Sequence, residues 1–387
     1  MYKKVVWFII CYFSICISVF ANTAMPQIQS EGAILIEPKT NTVLYGKNEH
    51  KKLYPASTTK ILTAMIVLEE LNQNSTLTKS QGSVNTVPAD SSHIGLAVGD
   101  SISVKDALYG LLVGSDNFIA HDLAIASKGS IDNFASRMNE KAKHYGALNT
   151  HFTNPHGYHD PNHYTTAYDL AQIARETFSV PELIKMAATT KYTVKVLNTN
   201  RTITVTNKNR LLDSNTPYYN EHVVAAKTGF HDDAQQTLVA KAIYGDMELI
   251  AVVMKVKSPG QYEDINKLFE YGQKYFKVSQ DGERGYELIN QTASPWAQSY
   301  IDSALKNKWI TEKGANYKEA IPVQHLIYML NVAIGGKERI TLEEIGGVLG
   351  ESLKKEETLT RLQIARLMPY LTDKLSLIHI SEPTRHS

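Results

Sequence analysis

Short stretches in which apolar side chains alternate with polar ones, or stand together between turn residues, predict the strands of this chain. Residues 33–36 and 42–45 are two apolar runs separated by a polar turn, the pattern of a β-hairpin. Residues 192–205 alternate around an Asn-Thr-Asn turn and predict a second hairpin. Residues 238–242 and 249–256 are more continuously apolar, which predicts two neighbouring buried strands.

Helices are predicted in the middle of the chain, where apolar side chains recur three or four positions apart. This spacing is found over residues 59–71, 104–112 and 118–126. Strands at both ends of a helical middle predict an α+β domain, in which distant segments of the chain complete one sheet.

The first residues have the composition of an export signal. Two lysines, Lys3 and Lys4, precede an apolar run at residues 5–20, and Ala21 follows at a position that suits a signal peptidase. We predict a signal peptide at residues 1–21 and an exported mature protein. The alternative is an uncleaved N-terminal anchor, which also leaves the rest of the chain outside the cytoplasm.

Charge and cysteine content exclude several classes of function. The formal net charge is +1, so the chain lacks the basic footprint of a nucleic-acid-binding protein. The two cysteines, Cys11 and Cys16, both lie within the predicted signal peptide, and the residues ahead of Cys16 do not resemble a lipoprotein processing site. The mature chain therefore has no disulfide and no thiol nucleophile, which excludes a cysteine-protease mechanism.

Ser57 and Lys60 form the first of three short motifs that carry chemistry. They open a predicted helix, and a spacing of three places both side chains on one helix face. Serine becomes a strong nucleophile when a neighbouring base takes its proton, and a neutral amine can be that base. Because the pKa of a lysine side chain is normally about 10.4, Lys60 must be desolvated or lie beside another cation to act as a base at neutral pH.

The second motif is Ser115 and Asn117, with Asp116 between them, in the gap between two predicted helices. The Ser115 hydroxyl can relay a proton toward a leaving amine. The Asn117 amide can hydrogen-bond both a substrate carbonyl and a lysine, since it carries a donor and an acceptor.

The third motif is Lys227, Thr228 and Gly229, which we predict at the start of a strand because residues 223–226 before it are apolar. A cation and a hydroxyl together suit the terminal carboxylate of a substrate. Gly229 has no Cβ, which lets a substrate lie against the strand edge.

Two interactions are expected between the third motif and the first. The backbone N–H of Phe230 can form an oxyanion hole with that of Ser57. Lys227 is also a second cation, which would lower the pKa of Lys60.

These three motifs occur together, in this order, in class A β-lactamases and penicillin-binding proteins. Residues 55–64 resemble the active-site signature of the low-molecular-mass penicillin-binding proteins of the serine D-alanyl-D-alanine carboxypeptidase family. The likeness extends over residues 33–256, and residues 152–170 are similar to a stretch peculiar to this family. Two departures are modest: Asp116 stands where the family usually has Gly or Ala, and the pair at 235–236 is Gln-Gln where Ala-Gly is often found.

The resemblance implies a β-lactamase/penicillin-binding-protein-like fold at residues 27–275, an antiparallel sheet flanked by helices with a helical subdomain. It implies that Ser57 is acylated by the penultimate D-Ala of a peptidoglycan stem peptide, and that β-lactam antibiotics acylate the same serine. Lys60 is then the base and Ser115 the proton relay. Neither a cofactor nor a metal is implied. Substrate contacts are implied for Asn117, Lys227, Thr228, Gly229 and Phe230.

Several alternatives stay open. Glu182 could be the deacylating glutamate of a class A-like β-lactamase, although its surroundings predict the approach to a strand. His156, His159 and His163 have a spacing that could bind zinc, although no HExxH motif accompanies them. A non-catalytic β-lactam-sensing or wall-binding protein is disfavoured by the intact motifs. D,D-endopeptidase activity on cross-links is open as a side activity.

The chain changes character after the catalytic region. Residues 276–294 are polar and contain glycine, which predicts a linker, and residues 295–374 predict a small, mainly helical region. Residues 296–305 and 359–365 resemble parts of S-layer homology modules, which implies binding to a cell-wall polymer. A plain helical appendage and an amphipathic membrane-surface helix are the alternatives. Residues 375–387 resemble translated sequencing-adapter sequence, and we exclude them from the fold prediction.

Overall fold

A computed structural model describes residues 26–278, 286–288, 321–322 and 358–359 of the chain. The first two of these stretches belong to one compact unit, Met25–Gln291. The predicted signal peptide and the segment at 375–387 lie outside the described residues. So does most of the predicted helical region, of which two short strands, Ile321–Pro322 and Thr358–Leu359, pair antiparallel.

The strands of the compact unit fall into one large sheet and three small two-stranded ones. Numbered along the chain, they are β1 Gly32–Glu37, β2 Thr42–Lys47, β3 Thr76–Thr78, β4 Ser101–Ser103, β5 Lys191–Lys195, β6 Thr202–Thr206, β7 Val223–His231, β8 Gln235–Tyr244, β9 Met247–Val256, β10 Phe276–Val278 and β11 Tyr286–Leu288. The large sheet has five antiparallel strands in the order β2-β1-β9-β8-β7. Both predicted hairpins and the predicted pair of buried strands are confirmed.

Among the residues described, seven helices lie in the segment between β2 and β5, and an eighth follows β9. They are α1 Lys60–Glu70, α2 Gln81–Thr86, α3 Val104–Leu112, α4 Asn117–Lys128, α5 Ile131–His144, α6 Ala167–Thr177, α7 Pro181–Ala188 and α8 Gly260–Tyr275. Short 3-10 turns lie at Ala56–Thr59 and Arg210–Leu212. In the described part of the chain, no helix has the length and apolar content needed to cross a bilayer.

Strand β1 explains how the two ends of the domain are held together. Ile34 pairs with Val252 of β9, more than two hundred positions along the chain. Because successive strand side chains point to opposite faces, Ile34 packs in the core that holds helices α1 and α3 to α7. Its neighbour Leu35 packs on the other face, against α8. The sheet is therefore covered by helices on both faces, which confirms the predicted α+β architecture.

Two segments differ from their predicted conformations. Glu182 lies in the first turn of helix α7, not on the approach to a strand. Pro181 begins that helix, where its missing N–H removes no hydrogen bond and its fixed φ favours helical geometry. Within the predicted linker, β10 pairs antiparallel with β11.

Candidate active site

Ser57 lies in the 3-10 turn Ala56–Thr59, immediately before helix α1, and its side chain is only partly exposed. Ala56 has a φ of +48°, a left-handed conformation that L-residues adopt at a cost and that is concentrated at functional sites. Lys60 is the first residue of α1, and its Nζ lies 2.9 Å from the Oγ of Ser57. The predicted Ser-Lys contact is present.

The amine of Lys60 is fully buried and has three polar neighbours. Besides Ser57, its Nζ donates to Asn117 Oδ1 at 2.6 Å and to the His156 carbonyl oxygen at 2.7 Å. Burial, and then the positive charge of Lys227, lower the pKa of Lys60 well below its ordinary value. The predicted effect of Lys227 is thus present, but desolvation is the larger cause.

These contacts specify what a neutral Lys60 does. A neutral amine has two N–H donors and one lone pair, and carbonyl oxygens only accept. The oxygens of Asn117 and His156 therefore take the two N–H groups. The lone pair remains for the hydroxyl proton of Ser57.

The second motif is held by the start of helix α4. Asp116 is its N-cap: the carboxylate accepts from the N–H of Ile119 at 2.9 Å and from that of Ile94 at 2.8 Å. Asn117 is the first residue of α4, so its side chain is fixed by the helix. Ser115, just before the cap, has a φ of +57°, so it is a second strained residue of the three motifs, after Ala56 next to Ser57.

Lys227 connects the third motif to the second. It is buried in strand β7, and its Nζ donates to the Oγ of Ser115 at 3.0 Å. Burial lowers the pKa of Lys227 to about 7. The prediction that this motif begins a strand is wrong: β7 already starts at Val223, because the apolar residues before the motif belong to the same strand.

Gly229 has a structural role that the sequence did not indicate. A Cβ at this position would lie 2.9 Å from the Pro55 carbonyl oxygen and 3.0 Å from the Ser57 nitrogen. The missing Cβ therefore makes room for the turn that contains Ser57 to lie against β7. It also brings the backbone of the third motif beside that of the first.

Thr228 of the third motif and Phe230, which follows the motif, lie on the same strand. Strand β7 is at the edge of the large sheet. Thr228 is partly exposed, and the Phe230 side chain is 60% exposed. An edge strand with exposed side chains leaves backbone groups open to an extended peptide.

A loop within residues 152–170, the stretch that resembles the family, closes the site from the other side. Asn154 Oδ1 accepts from the Gly157 N–H at 2.7 Å, and the Pro155 carbonyl accepts from Thr63 of helix α1 at 2.6 Å. This turn directs the His156 carbonyl toward Lys60. The family resemblance of this stretch was the only signal in the sequence, and it did not indicate which backbone oxygen the loop presents.

The three histidines weighed as a zinc cluster have separate environments. His156 Nδ1 accepts from the Tyr158 N–H at 3.1 Å. His163 Nε2 lies 2.9 Å from Thr59 Oγ1, and its pKa is lowered to about 3 by burial. His159 packs edge-on against Tyr54 instead. Among the described residues, these three imidazoles do not converge on one point.

Comparison with known proteins gives a consistent family assignment. The family profile of peptidase S11, D-alanyl-D-alanine carboxypeptidase, matches residues 19–258. The D-alanyl-D-alanine carboxypeptidase DacF of Bacillus subtilis is 29% identical over 296 residues, 75% of this chain and 75% of the relative. The D-alanyl-D-alanine carboxypeptidase DacD of Salmonella typhimurium is 34% identical over 265 residues, 66% of this chain and 65% of the relative.

Solved structures that resemble this chain support the same family assignment. The crystal structure of the Streptomyces K15 DD-transpeptidase has a TM-score of 0.61 and 30% sequence identity, covering 65% of this chain and 99% of that one. A D-alanyl-D-alanine carboxypeptidase from Mycobacterium tuberculosis has a TM-score of 0.59 and 27% identity, covering 65% and 93%. The family match spans more than half of the chain and includes all three motifs. The chain belongs to the peptidase S11 family of serine D-alanyl-D-alanine carboxypeptidases, which are low-molecular-mass penicillin-binding proteins.

Proposed function

We propose that this chain removes the terminal D-Ala from peptidoglycan pentapeptide stems through an acyl-enzyme on Ser57. The observation that carries the proposal is the environment of Lys60. Its buried amine lies 2.9 Å from Ser57 Oγ, and its two other partners are oxygens that can only accept. This arrangement suits a neutral lysine that takes the serine proton.

In the acylation step, Ser57 Oγ attacks the carbonyl carbon of the penultimate D-Ala while Lys60 takes its proton. The negative charge that develops on the carbonyl oxygen is stabilised by the N–H groups of Ser57 and Phe230. The C–N bond then breaks, and the leaving amine of D-Ala receives a proton through Ser115. The close contact of Ser115 with Lys227, 3.0 Å, supports its place in this transfer.

Substrate recognition is assigned to the other motif residues. The Oδ1 of Asn117 accepts from Lys60, so its Nδ2 is the group that can donate to a substrate carbonyl. The ammonium of Lys227 and the hydroxyl of Thr228 suit the terminal carboxylate. Gly229 keeps this strand close to the nucleophile, and the extended stem peptide pairs along the edge of β7.

Water completes the cycle by attacking the acyl carbon, with Lys60 as the base and Ser57 as the leaving group. A β-lactam follows the same first step, because its strained amide is attacked by the same oxygen. Its ring-opened product stays attached, so the leaving group does not clear the site for water. Penicillin is therefore expected to remain covalently bound to Ser57.

The site of action is proposed to be outside the cytoplasm, where peptidoglycan lies. Export by the signal peptide predicted at residues 1–21 accounts for this location. We further propose that residues 295–374 associate the enzyme with the cell wall through a wall polymer, as the S-layer-like sequence suggests.

The deciding experiment measures D-Ala release from a synthetic pentapeptide that ends in D-Ala-D-Ala. The purified chain and its Ser57→Ala variant are compared, with and without penicillin. Release by the native chain alone, blocked by penicillin with a covalent mass increase on Ser57, supports the proposal. Penicillin acylation without D-Ala release would instead indicate a sensor or an endopeptidase. Fast turnover of penicillin would indicate a β-lactamase.

A further inference from the structure

A second cluster of chemically reactive side chains lies at the rim of the cleft. His159 from the loop after α5, His231 at the end of β7 and Asp233 in the turn after it have ligand atoms within 4.8 Å of one another. His159 Nε2 and His231 Nδ1 each lie 3.6 Å from Asp233 Oδ2. None of these residues takes part in the proposed reaction.

The separations are those of ligands around a common ion rather than of hydrogen-bonded partners. A hydrogen bond from nitrogen to oxygen spans about 2.7–3.2 Å, so both pairs are too far apart. Ligands of a tetrahedral zinc ion, with bonds of about 2.0–2.1 Å, lie roughly 3.3 Å from each other. The two His–Asp distances exceed this value by only a few tenths of an ångström. The ligand atoms of the two imidazoles lie within 4.8 Å of each other, so these side chains must move together by up to about 1.5 Å to share an ion.

The polar atoms of the cluster are also incompletely satisfied. The Nδ1 of His231 is buried and has no hydrogen-bond partner among the described residues. A buried polar atom without a partner is unfavourable, and a metal ion would supply the missing interaction.

Access to the cluster is open on one side. The Asp233 side chain is 56% exposed, and each imidazole is 25% exposed. The two imidazoles also line a recess together with Tyr54, Ala56 and Gly157. An ion can thus enter from solvent, and three protein ligands leave a fourth position for water.

We propose that His159, His231 and Asp233 form a binding site for a divalent transition-metal ion of the zinc type. Two imidazoles and one carboxylate are ligands that zinc accepts, whereas magnesium and calcium prefer oxygen alone. The ion joins the loop that presents the His156 carbonyl to the end of the strand that carries Phe230. It therefore acts as a clamp on the rim of the site, separate from the serine chemistry.

The test uses the untagged chain, freed of metal with a chelator, and Zn²⁺ alone as the ligand. Isothermal titration calorimetry is expected to show that one zinc ion binds per chain and that this binding requires the cluster residues. His231→Ala and Asp233→Asn should each weaken this binding by about tenfold or more, since each removes one ligand. Substituted Co²⁺ should give the intense visible absorption of a tetrahedral site, which both variants lose.

His222→Ala is the matched control. His222 lies just before the other end of β7, and its Nε2 is 3.9 Å from the carboxylate of Glu221. Among the described residues, no third ligand joins this pair. The zinc affinity of the control should equal that of the native chain. Native-like thermal unfolding of the apo variants shows that they fold.

Absence of zinc binding to the native chain would overturn the proposal, as would unchanged binding in both cluster variants. Because binding is measured without substrate, the result is independent of D-Ala release. Failure of the metal site and failure of the proposed enzyme activity are therefore distinguishable.

Discussion

Gly157 and Ala56 approach so closely that a Cβ atom on Gly157 would lie 1.9 Å from the Ala56 carbonyl oxygen. Gly157 also has a φ of +79°. The loop that positions the His156 carbonyl and the turn that positions Ser57 are thus packed backbone against backbone. Only glycine allows this contact, because any side chain would separate the two segments.

Gly157→Ala is expected to separate this loop from the nucleophile turn and to reduce penicillin acylation by at least about a hundredfold, the lower range of the loss when a catalytic base is misplaced. Gly129→Ala is the matched control. Gly129 has a similar φ of +75°, but a Cβ there would have no atom within 4 Å, so this variant should lose only about 1–2 kcal/mol of stability. Acylation is measured by the covalent mass increase over time. Equal losses in the two variants would show that backbone strain alone, not the contact with Ala56, is responsible.

Lys60→Arg tests whether the amine acts as a base. Arginine stays protonated in proteins, so it has no lone pair with which to take the serine proton. We expect the penicillin acylation rate to fall by about 10²–10⁴-fold. Lys241→Arg is the control: Lys241 is also buried, but it donates to the Phe178 carbonyl at 3.0 Å, away from the motifs. A Lys60→Arg variant that acylates at the native rate would exclude the proposed base.

The pH dependence of kcat/KM should reflect Lys227. Its pKa is lowered to about 7 by burial, so its positive charge is present below that pH and is lost as the pH rises through it. Binding of a carboxylate needs the cation, and we expect kcat/KM for D-Ala release to fall on the alkaline side.

Lys227→Arg tests whether the alkaline decline is caused by loss of the positive charge of Lys227, because arginine keeps its charge at these pH values. The variant should have a lower maximal kcat/KM, since the contact with Ser115 is changed. The decline of its kcat/KM should begin at a pH that is higher by about one unit or more. One pKa unit corresponds to a difference of about 1.4 kcal/mol between the two protonation states. The same alkaline limb in both enzymes would assign the decline to another group.

Deprotonation of Lys60 should produce the acid limb of the same kcat/KM profile, and Asp116 should influence the pH at which this limb lies. Its negative charge raises the pKa of Lys60, against the larger lowering by burial and Lys227. Asp116→Asn removes that charge, so the pKa of Lys60 should fall further. The acid limb of kcat/KM should then move to lower pH.

Asp122→Asn is the control for this change. Asp122 lies on the same helix and accepts from the Ser80 hydroxyl at 2.6 Å. Its loss should lower stability without moving the acid limb. An unmoved limb in Asp116→Asn would mean that the carboxyl only caps the helix.

The sequence by itself determined the chemistry and most of the elements. The spacing of apolar side chains within a strand or helix is visible in a short stretch of sequence. The hairpins and helices could therefore be predicted from the sequence alone. The three motifs also fixed which side chains are nucleophile, base and relay in the hypothesis. Ser57 and Lys60 could even be predicted to touch, since a helix brings together residues three positions apart.

The tertiary structure decided what depends on segments that are distant in the chain. The pKa of Lys60 is lowered mainly by burial, and burial results from packing around the residue. The His156 carbonyl could not be predicted as a partner, because every residue has a backbone oxygen and only the fold selects one. Likewise, position 229 needs a glycine because its backbone lies against that of Ser57. The two residues are 172 positions apart in the sequence, and only the fold brings them into contact.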